Sequence, residues 1–400
     1  MSRLAVRVTP DALRQIRWGH PWVYAESVVS TSHDGHAGDL AVVFDDRRRF
    51  VAIGLYDPGS PIRIKVLHHG RPAVIDGAWW KDRVADALAR RADLLGSVTT
   101  TGYRVVHGEN DGLPGLVVDR YAETCVLKLY SAALVPHLAT LVDAIGAVVG
   151  AARIVLRVSR LVASQLPGDL AEGMTLAGPP PDGPVWFHEN GLRLTADVVG
   201  GQKTGHFLDQ RDNRRLVGGR AMGARVLDVF ACTGGFALNA AAGGALSVHL
   251  VDQSHGALAA AEANRRANLD LDAVRGCRFT SDVGDAFAAL TALAGRGVRY
   301  DLVVVDPPSF AQNQAGVERA VVAYRRLTAL ALDLIAPGGL LFQASCSSRV
   351  PAERFYAAVT LGAASRGRRL DELARTDHPL DHPIGFPQGA YLKALLARAP

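Results

Sequence analysis

The stretch that decides the fold of the second half of the chain is RVLDVFACTGGF, residues 225–236. Its first six residues are mostly apolar, as in a buried strand, and an alanine-rich segment typical of a helix follows them. Gly234 and Gly235 lie where the strand must turn tightly into the helix, and glycine lets the backbone approach a ligand closely at such a turn. The stretch therefore predicts a strand, a ligand-binding turn and a helix in direct succession.

The same alternation of apolar strands with helices continues after this stretch. The predicted strands share a run of apolar residues and are Arg225 to Phe230, Ser247 to Asp252, Tyr300 to Asp306, and Gly339 to Ala344. Strands that alternate with helices form a parallel sheet with helices on its faces. Ligands of such α/β domains bind at the carboxyl ends of the strands, so we expect the functional residues at that edge.

The first 75 residues follow a different pattern. Short apolar segments at 39–44, 50–56 and 62–67 are separated by turn-like residues, and this spacing predicts a small antiparallel β-barrel. The surplus of basic over acidic residues in this region makes it the expected start of any nucleic-acid footprint.

A small central α/β domain is predicted to follow the barrel. Its expected elements are a linking helix over 79–95, a strand over 124–130, a helix over 132–149 and a strand over 153–158. The proline- and glycine-rich stretch 178–184 interrupts all regular structure. We therefore predict three domains, at residues 1–75, 76–184 and 185–400.

The composition excludes several classes of protein. Hydrophobic residues make up 48% and charged residues 21% of the 400 residues, which is typical of a folded globular chain rather than a disordered one. The net charge of +5 favours a polyanionic partner. The four cysteines are too far apart for paired zinc ligands, so we expect free thiols in a reducing cytoplasm and no metal. No run approaches the ~20 apolar residues of a membrane span, so no membrane association is expected.

Two acidic residues are candidates for binding a nucleoside. Asp252 ends the second strand, 24 residues after Asp228, where its carboxylate can accept hydrogen bonds from both ribose hydroxyls. The Gly-x-Gly-x-x-Gly pattern that a pyrophosphate requires is absent at the first turn, which favours a ligand without phosphates. Asp285 could bind an adenine amino group, or could equally cap the helix that begins at Ala286.

The sharpest chemical signal is YDLVVVDPPSF, residues 300–310. Two prolines after Asp306 fix the backbone and hold main-chain and carboxylate acceptors rigid at the end of the strand. Such acceptors could bind the exocyclic amine or a ring nitrogen of a nucleobase. We therefore predict that Asp306, Pro307, Pro308 and Phe310 line a substrate pocket, with a plain Pro-Pro turn as the alternative.

Cys346 follows the next strand, within ASCSS at residues 344–348, and is expected at the same edge as Asp306. C5 of cytosine is a poor nucleophile, but a thiolate that adds to C6 raises the electron density at C5 for attack on an activated methyl group. A thiol at this edge meets that requirement. The alternative is a buried structural cysteine, and the flanking serines count against it.

The segment GQKTGHFLDQR, residues 201–211, superficially suggests a phosphate loop, but the required Gly-x-x-x-x-Gly-Lys-Thr is absent. We interpret it as a lid over the cofactor, with Lys203, Gln210 and Arg211 available for a carboxylate or an RNA phosphate. For residues 212–215, which follow directly, a solvated helix start is the expected structure.

With these residues described, most of the chain resembles the bacterial large-subunit rRNA cytosine-C5 methyltransferase family. Its members join an N-terminal PUA domain, a small central domain and a class I methyltransferase domain that uses S-adenosylmethionine. The motifs that carry the resemblance are HPWV at 20–23, GENDGLPGLVVD at 108–119, GQKTGHFLDQR, LDVFACTGGF, DPPSF, SCS, and DHPIGFPQGAYLK at 381–393.

The resemblance implies the roles of individual residues. S-adenosylmethionine would be held by Phe230, Ala231, Thr233, Gly234, Gly235, Asp252 and Asp285, with Gln210 and Arg211 from the lid. Asp306 would line the target pocket, and Cys346 would be the nucleophile. The implied partner is 23S ribosomal RNA, free or in a partly assembled subunit, and members commonly form homodimers.

The sequence departs from the family pattern at three places. Cys232 stands where a tyrosine is usual, Gln388 replaces a glutamate, and residues 157–171 match poorly, which bears on the choice of substrate rather than on the type of reaction. Two alternatives remain open from the residues. One is a guanine N-methyltransferase on the same fold, which would not need the thiol of Cys346, and the other is an RNA-binding factor without catalytic activity.

Overall fold

The computed structural model describes residues 2–311 and 313–400. The chain divides into two compact units. The first unit comprises Met1–His188, Ala196–Leu208 and Leu380–Pro387, and the second comprises Glu189–Thr195, Asp209–Pro379 and Gln388–Pro400.

The N-terminal part of the first unit is a mixed β-sheet with one helix packed against it. Its elements are β1 (Arg3–Val8), α1 (Pro10–Arg17), β2 (Trp22–Tyr24), β3 (Val28–Thr31), β4 (Leu40–Phe44), β5 (Phe50–Tyr56) and β6 (Ile62–His69). The sheet order is β2-β6-β5-β4-β1-β3. Strands β4, β5 and β6 pair antiparallel, as predicted, whereas the parallel pairing of β1 with β4 was not predicted.

The rest of the first unit is built on a second sheet with the order β11-β10-β9-β8-β7. The elements are α2 (Gly77–Ala89), β7 (Gly102–His107), β8 (Leu116–Tyr121), β9 (Thr124–Leu129), α3 (Leu138–Val149), β10 (Arg153–Val158), α4 (Arg160–Ala163) and β11 (Thr175–Ala177). The predicted strands correspond to β9 and β10, which pair in parallel. The predicted linking helix corresponds to α2, which ends at Ala89 before a short 3-10 turn at Ala92–Leu94.

The helix predicted over 132–149 begins differently from the prediction. Residues Ala132–His137 form a 3-10 helix that contains Pro136, and α3 starts only at Leu138, because proline has no N–H to donate within a helix. By length and composition alone the segment Ala132–Val149 could cross a membrane, but half of it is buried inside the protein. Leu141, Ala144 and Ile145 lie in the hydrophobic core of the first unit, which is the normal position of a core helix.

The second unit contains the parallel sheet that the strand-helix alternation predicted. From residue 185 onward the elements are β12 (Val185–Glu189), β13 (Leu192–Ala196), α5 (Arg211–Gly218), β14 (Arg225–Val229), α6 (Gly235–Ala242), β15 (Ser247–Asp252), α7 (His255–Ala267), α8 (Asp272–Gly276), β16 (Arg278–Val283), α9 (Ala286–Gly295), β17 (Tyr300–Val305), α10 (Val317–Leu332), β18 (Ile335–Ser345), α11 (Ala352–Ala364), β19 (Asp371–Thr376) and β20 (Lys393–Ala399).

The main sheet of this unit has the order β16-β15-β14-β17-β18-β20-β19. Strands β14 to β18 pair in parallel, so their carboxyl ends meet at one edge. Strand β20 inserts antiparallel between β18 and β19, which the sequence reading did not foresee. The core between the sheet and α10 and α11 includes Val303, Tyr324 and Phe355, each buried.

Residues 178–184 form neither helix nor strand, in agreement with the break predicted there. The three predicted domains, at residues 1–75, 76–184 and 185–400, remain predictions.

Candidate active site

The turn after β14 has an unusual backbone. Phe230 and Cys232 adopt φ values of 64° and 48°, and Gly234 adopts 74°. Side-chain-bearing residues rarely occupy this left-handed region, and strain of this kind concentrates at ligand-binding sites. Glycine is required at 234 for a second reason, since a Cβ there would lie 2.8 Å from the Cβ of Ala261.

Two further residues of this turn are held by neighbouring elements. The carbonyl of Thr233 accepts a hydrogen bond from Asn264 Nδ2 at 2.9 Å, and the carbonyl of Ala231 accepts from Gly234 N at 2.8 Å. Gly235 begins α6, and a Cβ on it would lie 2.7 Å from Cδ of Arg214. The turn is therefore fixed in a form that only small residues permit at its end.

Asp252 is connected to the same turn. One carboxylate oxygen accepts a hydrogen bond from Cys232 N and the other accepts from Ser254 N, both at 2.8 Å. Each oxygen of a carboxylate can accept more than one hydrogen bond, so the half-buried Asp252 can still bind a ligand hydroxyl. Asp285 is exposed and caps α9 by accepting a hydrogen bond from Ala288 N at 3.0 Å. This helix cap is the alternative to adenine binding that the sequence analysis gave for Asp285.

In the sequence analysis, Asp228 served only to measure the spacing to Asp252. It is buried beneath the turn, and its Oδ2 accepts a hydrogen bond from Ala237 N at 3.0 Å. Within the described residues, its Oδ1 is buried without a hydrogen-bond partner. Burial, together with the nearby carboxylates of Asp306 and Asp252, raises the pKa of Asp228 to about 7. A buried acceptor of this kind next to a binding turn suits the cationic amino group of a ligand.

Asp306 and Cys346 follow adjacent parallel strands, β17 and β18. Gln210 Nε2 donates to Asp306 Oδ1 at 2.8 Å, and Asn213 Nδ2 donates to Gln210 Oε1 at 2.6 Å. In the structure the side chain of Gln210 therefore contacts the carboxylate of Asp306. Its expected contact with a carboxylate of the cofactor or with a phosphate stays a prediction. Arg211 is almost fully buried, with Nε 3.3 Å from Asp212 Oδ1.

Cys346 is half-buried, and its Sγ lies 3.8 Å from the carbonyl oxygen of Pro307. Pro308 is exposed beside it, and the Phe310 ring lies 6.5 Å from the Phe230 ring between centroids. The structure thus brings the Asp-Pro-Pro turn, the nucleophile candidate and the turn after β14 to the same edge of the sheet. These residues thus lie at the carboxyl ends of the parallel strands, where the sequence analysis expected the functional residues.

The expectation of a solvated helix start at residues 212–215 is wrong for Asn213 and Arg214, which are both buried. Arg214 is buried and donates two hydrogen bonds of 2.6 Å to the carboxylate of Glu189, which is also buried. Asp212 and Arg215 are exposed, as expected. Four consecutive polar residues gave no sign that the two middle ones would be buried and the two outer ones exposed.

Sequence reasoning also missed Lys393, the first residue of β20. Its side chain is buried, and its ammonium donates to the carbonyl oxygens of Ser347, Val350 and Tyr391. Burial lowers the pKa of Lys393 to about 8, and the nearby Cys346 opposes that change. A signal was present, because Lys393 is the last residue of the DHPIGFPQGAYLK motif at 381–393.

Lys203 belongs to the first unit, whereas the residues described above belong to the second. It is half-buried with φ at 54°, and its Nζ lies 4.4 Å from the centroid of the Phe207 ring. Its carbonyl accepts from Lys128 Nζ at 2.7 Å, and Lys128 Nζ lies 5.5 Å from the ring centroid of the half-exposed Tyr130. These four residues form a cluster of two cations and two aromatic rings, which we call the Lys128 surface.

Comparisons with known proteins agree with this geometry. Residues 169–398 match the family described as S-adenosylmethionine-dependent methyltransferase, and residues 6–69 match a PUA-like domain. The chain is 48% identical over 398 residues to the ribosomal RNA large subunit methyltransferase of Deinococcus radiodurans, with 98% of this chain and 97% of that protein covered. It is 35% identical to the ribosomal RNA large subunit methyltransferase I of Tolumonas auensis, with 98% and 99% covered.

Among solved structures, a protein from Streptococcus mutans described as a SAM-dependent methyltransferase shares the fold over the full length of both chains, with a TM-score of 0.83 at 20% identity. The turn after β14, the acceptors of Asp252 and the buried Oδ1 of Asp228 fit S-adenosylmethionine, which carries ribose hydroxyls and an amino group. The predicted fold class and cofactor are therefore confirmed, and the chain belongs to the S-adenosylmethionine-dependent methyltransferases and, within them, to the family of ribosomal RNA large subunit methyltransferases.

Proposed function

We propose that the protein methylates C5 of a cytosine in large-subunit ribosomal RNA, with Cys346 as the nucleophile. The observation that carries this proposal is the position of the half-buried Cys346, with Sγ 3.8 Å from the carbonyl oxygen of Pro307 in the Asp-Pro-Pro turn. The names of the relatives support ribosomal RNA as the substrate. We expect the protein to act in the cytoplasm on 23S RNA, and the homodimer implied by the resemblance stays a prediction.

The reaction follows from what the residues at this edge can do. The thiolate of Cys346 adds to C6 of the cytosine, and the electrons of the C5–C6 double bond move toward C5. S-adenosylmethionine, when bound, would supply the electrophilic methyl group that C5 takes, and the electron pair of the broken sulfur–methyl bond would stay on the sulfur of the cofactor. A base then removes the proton from C5, the C5–C6 double bond forms again, and the bond between sulfur and C6 breaks to restore the thiolate.

Asp306 is proposed to orient the cytosine during these steps. Its Oδ1 accepts from Gln210, so the carboxylate is held in one orientation and can accept a hydrogen bond from the exocyclic amine of the base. Pro307, Pro308 and Phe310 would line the pocket around it. The target base must leave its stack to reach such a pocket, so an unpaired loop or a partly assembled subunit is the expected substrate.

The cofactor is proposed to bind along the turn from Phe230 to Gly235. Asp252 would accept hydrogen bonds from the ribose hydroxyls and Asp228 from the methionine amino group, while Asp285 is the candidate for the adenine. Arg211 is the remaining candidate for the methionine carboxylate, since an arginine binds carboxylates in a bidentate manner.

The Lys128 surface of the first unit is proposed to contact RNA. Its lysines can bind phosphates, and Tyr130 and Phe207 offer faces on which unpaired bases can stack, a combination typical of proteins that bind single strands. Lys203 is therefore proposed as an RNA contact rather than as a ligand of the cofactor. Basic residues of the N-terminal sheet would add further phosphate contacts.

The test uses RNA that contains 5-fluorocytidine in place of cytidine. Because the fluorine on C5 cannot leave as a proton does, the adduct between Cys346 and C6 should persist as a protein-RNA complex that survives denaturing electrophoresis. Cys346→Ala should abolish both this complex and the formation of 5-methylcytidine in ordinary ribosomal RNA, as measured by nucleoside mass spectrometry. Cys277→Ala is the matched control, because Cys277 is a buried thiol between α8 and β16, outside the carboxyl-end edge that carries Cys346.

The outcomes separate the remaining functions. If Cys346→Ala transferred methyl groups at a near-normal rate, and mass spectrometry found the product to be methylguanosine, guanine N-methylation would replace our proposal. A protein that binds RNA but shows no heat of S-adenosylmethionine binding in calorimetry would be a non-catalytic RNA-binding factor.

A further inference from the structure

Lys393 lies against the turn that carries Cys346. It pairs in antiparallel register with Ser345, the residue before Cys346. Two of its three hydrogen-bond acceptors, the carbonyl oxygens of Ser347 and Val350, belong to the turn directly after Cys346. The third is the carbonyl of Tyr391, at 3.1 Å. One buried amino group therefore connects β20 to both ends of the segment that presents the sulfur.

The hydrogen bonds indicate that this group is a cation. A carbonyl oxygen only accepts, so three carbonyl partners require three N–H donors, which only the ammonium form of lysine has. In the described part of the chain Lys393 forms no ion pair with a carboxylate. The positive charge is thus held in a buried place by dipoles alone, and the group whose charge it can balance is the thiolate of Cys346.

Among the described residues, the other groups around the turn do not supply this charge. Tyr324, on α10, accepts a hydrogen bond from Ser345 Oγ, and burial raises the pKa of its hydroxyl, so it stays neutral. His378 Nε2 accepts from the backbone N–H groups of Tyr391 and Leu392, which requires that this nitrogen carry no proton. Asp306 is a carboxylate and would oppose a thiolate. Arg349 lies in the same turn but is exposed to solvent, which screens its charge.

We propose that Lys393 is a positioning residue that keeps Cys346 in the thiolate form and fixes the turn in which the thiolate is presented. The catalytic meaning of this inference rests on the proposed role of Cys346, but the ionisation of the thiol can be measured without RNA or cofactor. The consequence is a nucleophile that is ready before substrate binds.

The experiment measures the rate at which iodoacetamide alkylates Cys346 as a function of pH, with the modified peptide quantified by mass spectrometry. In the intact protein the rate should reach half of its maximum below pH ~8.5, the ordinary pKa of a thiol. In Lys393→Met this midpoint should rise by about one pH unit or more, so that alkylation at neutral pH slows about tenfold or more. A purely structural role for Lys393 would not move the midpoint.

Two controls are built into the same measurement. Arg349→Met removes a positive charge from the same turn, but an exposed one, and should leave the midpoint nearly unchanged. Cys232 is a half-buried thiol of the same unit that lies near carboxylates, and burial raises its pKa. Its alkylation should therefore be slower than that of Cys346 and should not respond to Lys393→Met.

A midpoint for Cys346 at or above pH ~8.5 in the intact protein would overturn the proposal, even if Lys393→Met failed to fold. An equal midpoint in the intact protein and in a folded Lys393→Met would also overturn it. A low midpoint that rises in the variant, combined with no adduct on fluorinated RNA, would support the pairing of Lys393 with Cys346 while refuting the cytosine chemistry. The two proposals can thus fail separately.

Discussion

Replacing Asp228 with asparagine should stabilise the cofactor-free protein at alkaline pH. Asp228 is fully buried, and its pKa is raised from 3.8 to about 7, mainly because burial disfavours the carboxylate. A raised pKa in the folded state means that the contribution to stability is complete below pH 3.8 and is lost as the pH rises through about 7. At pH values above 7 the folded second unit therefore carries the full cost of a buried charge.

The size of the effect follows from the two pKa values. A difference of about three pH units corresponds to about 4 kcal/mol, which is an upper limit for the cost of the carboxylate. Asparagine removes that cost. However, its amide N–H group then takes the place of Oδ1, which has no hydrogen-bond partner in the described structure. An unsatisfied buried donor costs about 1–3 kcal/mol. The net expectation is a stabilisation of about 1–3 kcal/mol at alkaline pH and none in acid.

The assay is urea denaturation without cofactor at several pH values, followed by circular dichroism and by tryptophan fluorescence. All five tryptophans lie in residues 1–188, so their fluorescence follows the first unit and serves as an internal control. Asp228→Asn should raise only the transition of the second unit, and only at alkaline pH, while weakening S-adenosylmethionine binding about tenfold or more, since a charged acceptor is lost. A lower transition in the variant at alkaline pH would refute the reasoning.

Three further predictions concern other parts of the molecule. Gly234→Ala should lower the free energy of unfolding of the second unit by about 1–2 kcal/mol, because alanine disfavours the left-handed backbone conformation found there. Gly284→Ala is the control: it has open space around it and should cost much less in the same denaturation assay. Arg214→Met should lower the free energy of unfolding by about 3–5 kcal/mol, because it leaves the buried carboxylate of Glu189 without its arginine partner. The double variant with Glu189→Leu should recover part of this loss in a double-mutant cycle. Lys128→Gln should weaken RNA binding uniformly across sequences and reduce the slope of log affinity against log salt by about 1, as measured by fluorescence anisotropy; an unchanged slope would remove the Lys128 surface from the RNA interface.

Much of the second unit could be predicted from the sequence because its strands are continuous apolar runs. β14 and β17 are buried over most of their length in a parallel sheet, and β15 has buried apolar residues at Val248, Leu250 and Val251. Apolar runs of this kind predict strands without any knowledge of their partners. The carboxyl ends of these strands then locate Asp252 and Asp306 by topology alone. The insertion of β20 was out of reach, because its pairing with β18 joins segments that are distant in sequence and carry no pattern that specifies one another.

The missed residues of the site share a physical cause. Lys393, Arg214 and Asp228 are charged residues that the fold buries, and a charged residue in a sequence is normally read as exposed. Their burial depends on partners elsewhere in the chain: backbone carbonyls for Lys393, Glu189 for Arg214, and Ala237 N for Asp228. Gln210 was placed at the site, but its bond to Asp306 could be found only from coordinates.

On the proposed pairing of Lys393 with Cys346, the insertion of β20 between β18 and β19 would also set when Cys346 becomes open to oxidation. Thiolates are oxidised far more readily than thiols. Because Lys393 reaches the turn only after β20 has paired with β18, a chain that is still folding would carry Cys346 as an ordinary, protonated thiol. The sulfur would thus become sensitive to peroxide at the same stage of folding at which it becomes nucleophilic. The folded protein without bound RNA would then be the state that depends most on a reducing environment.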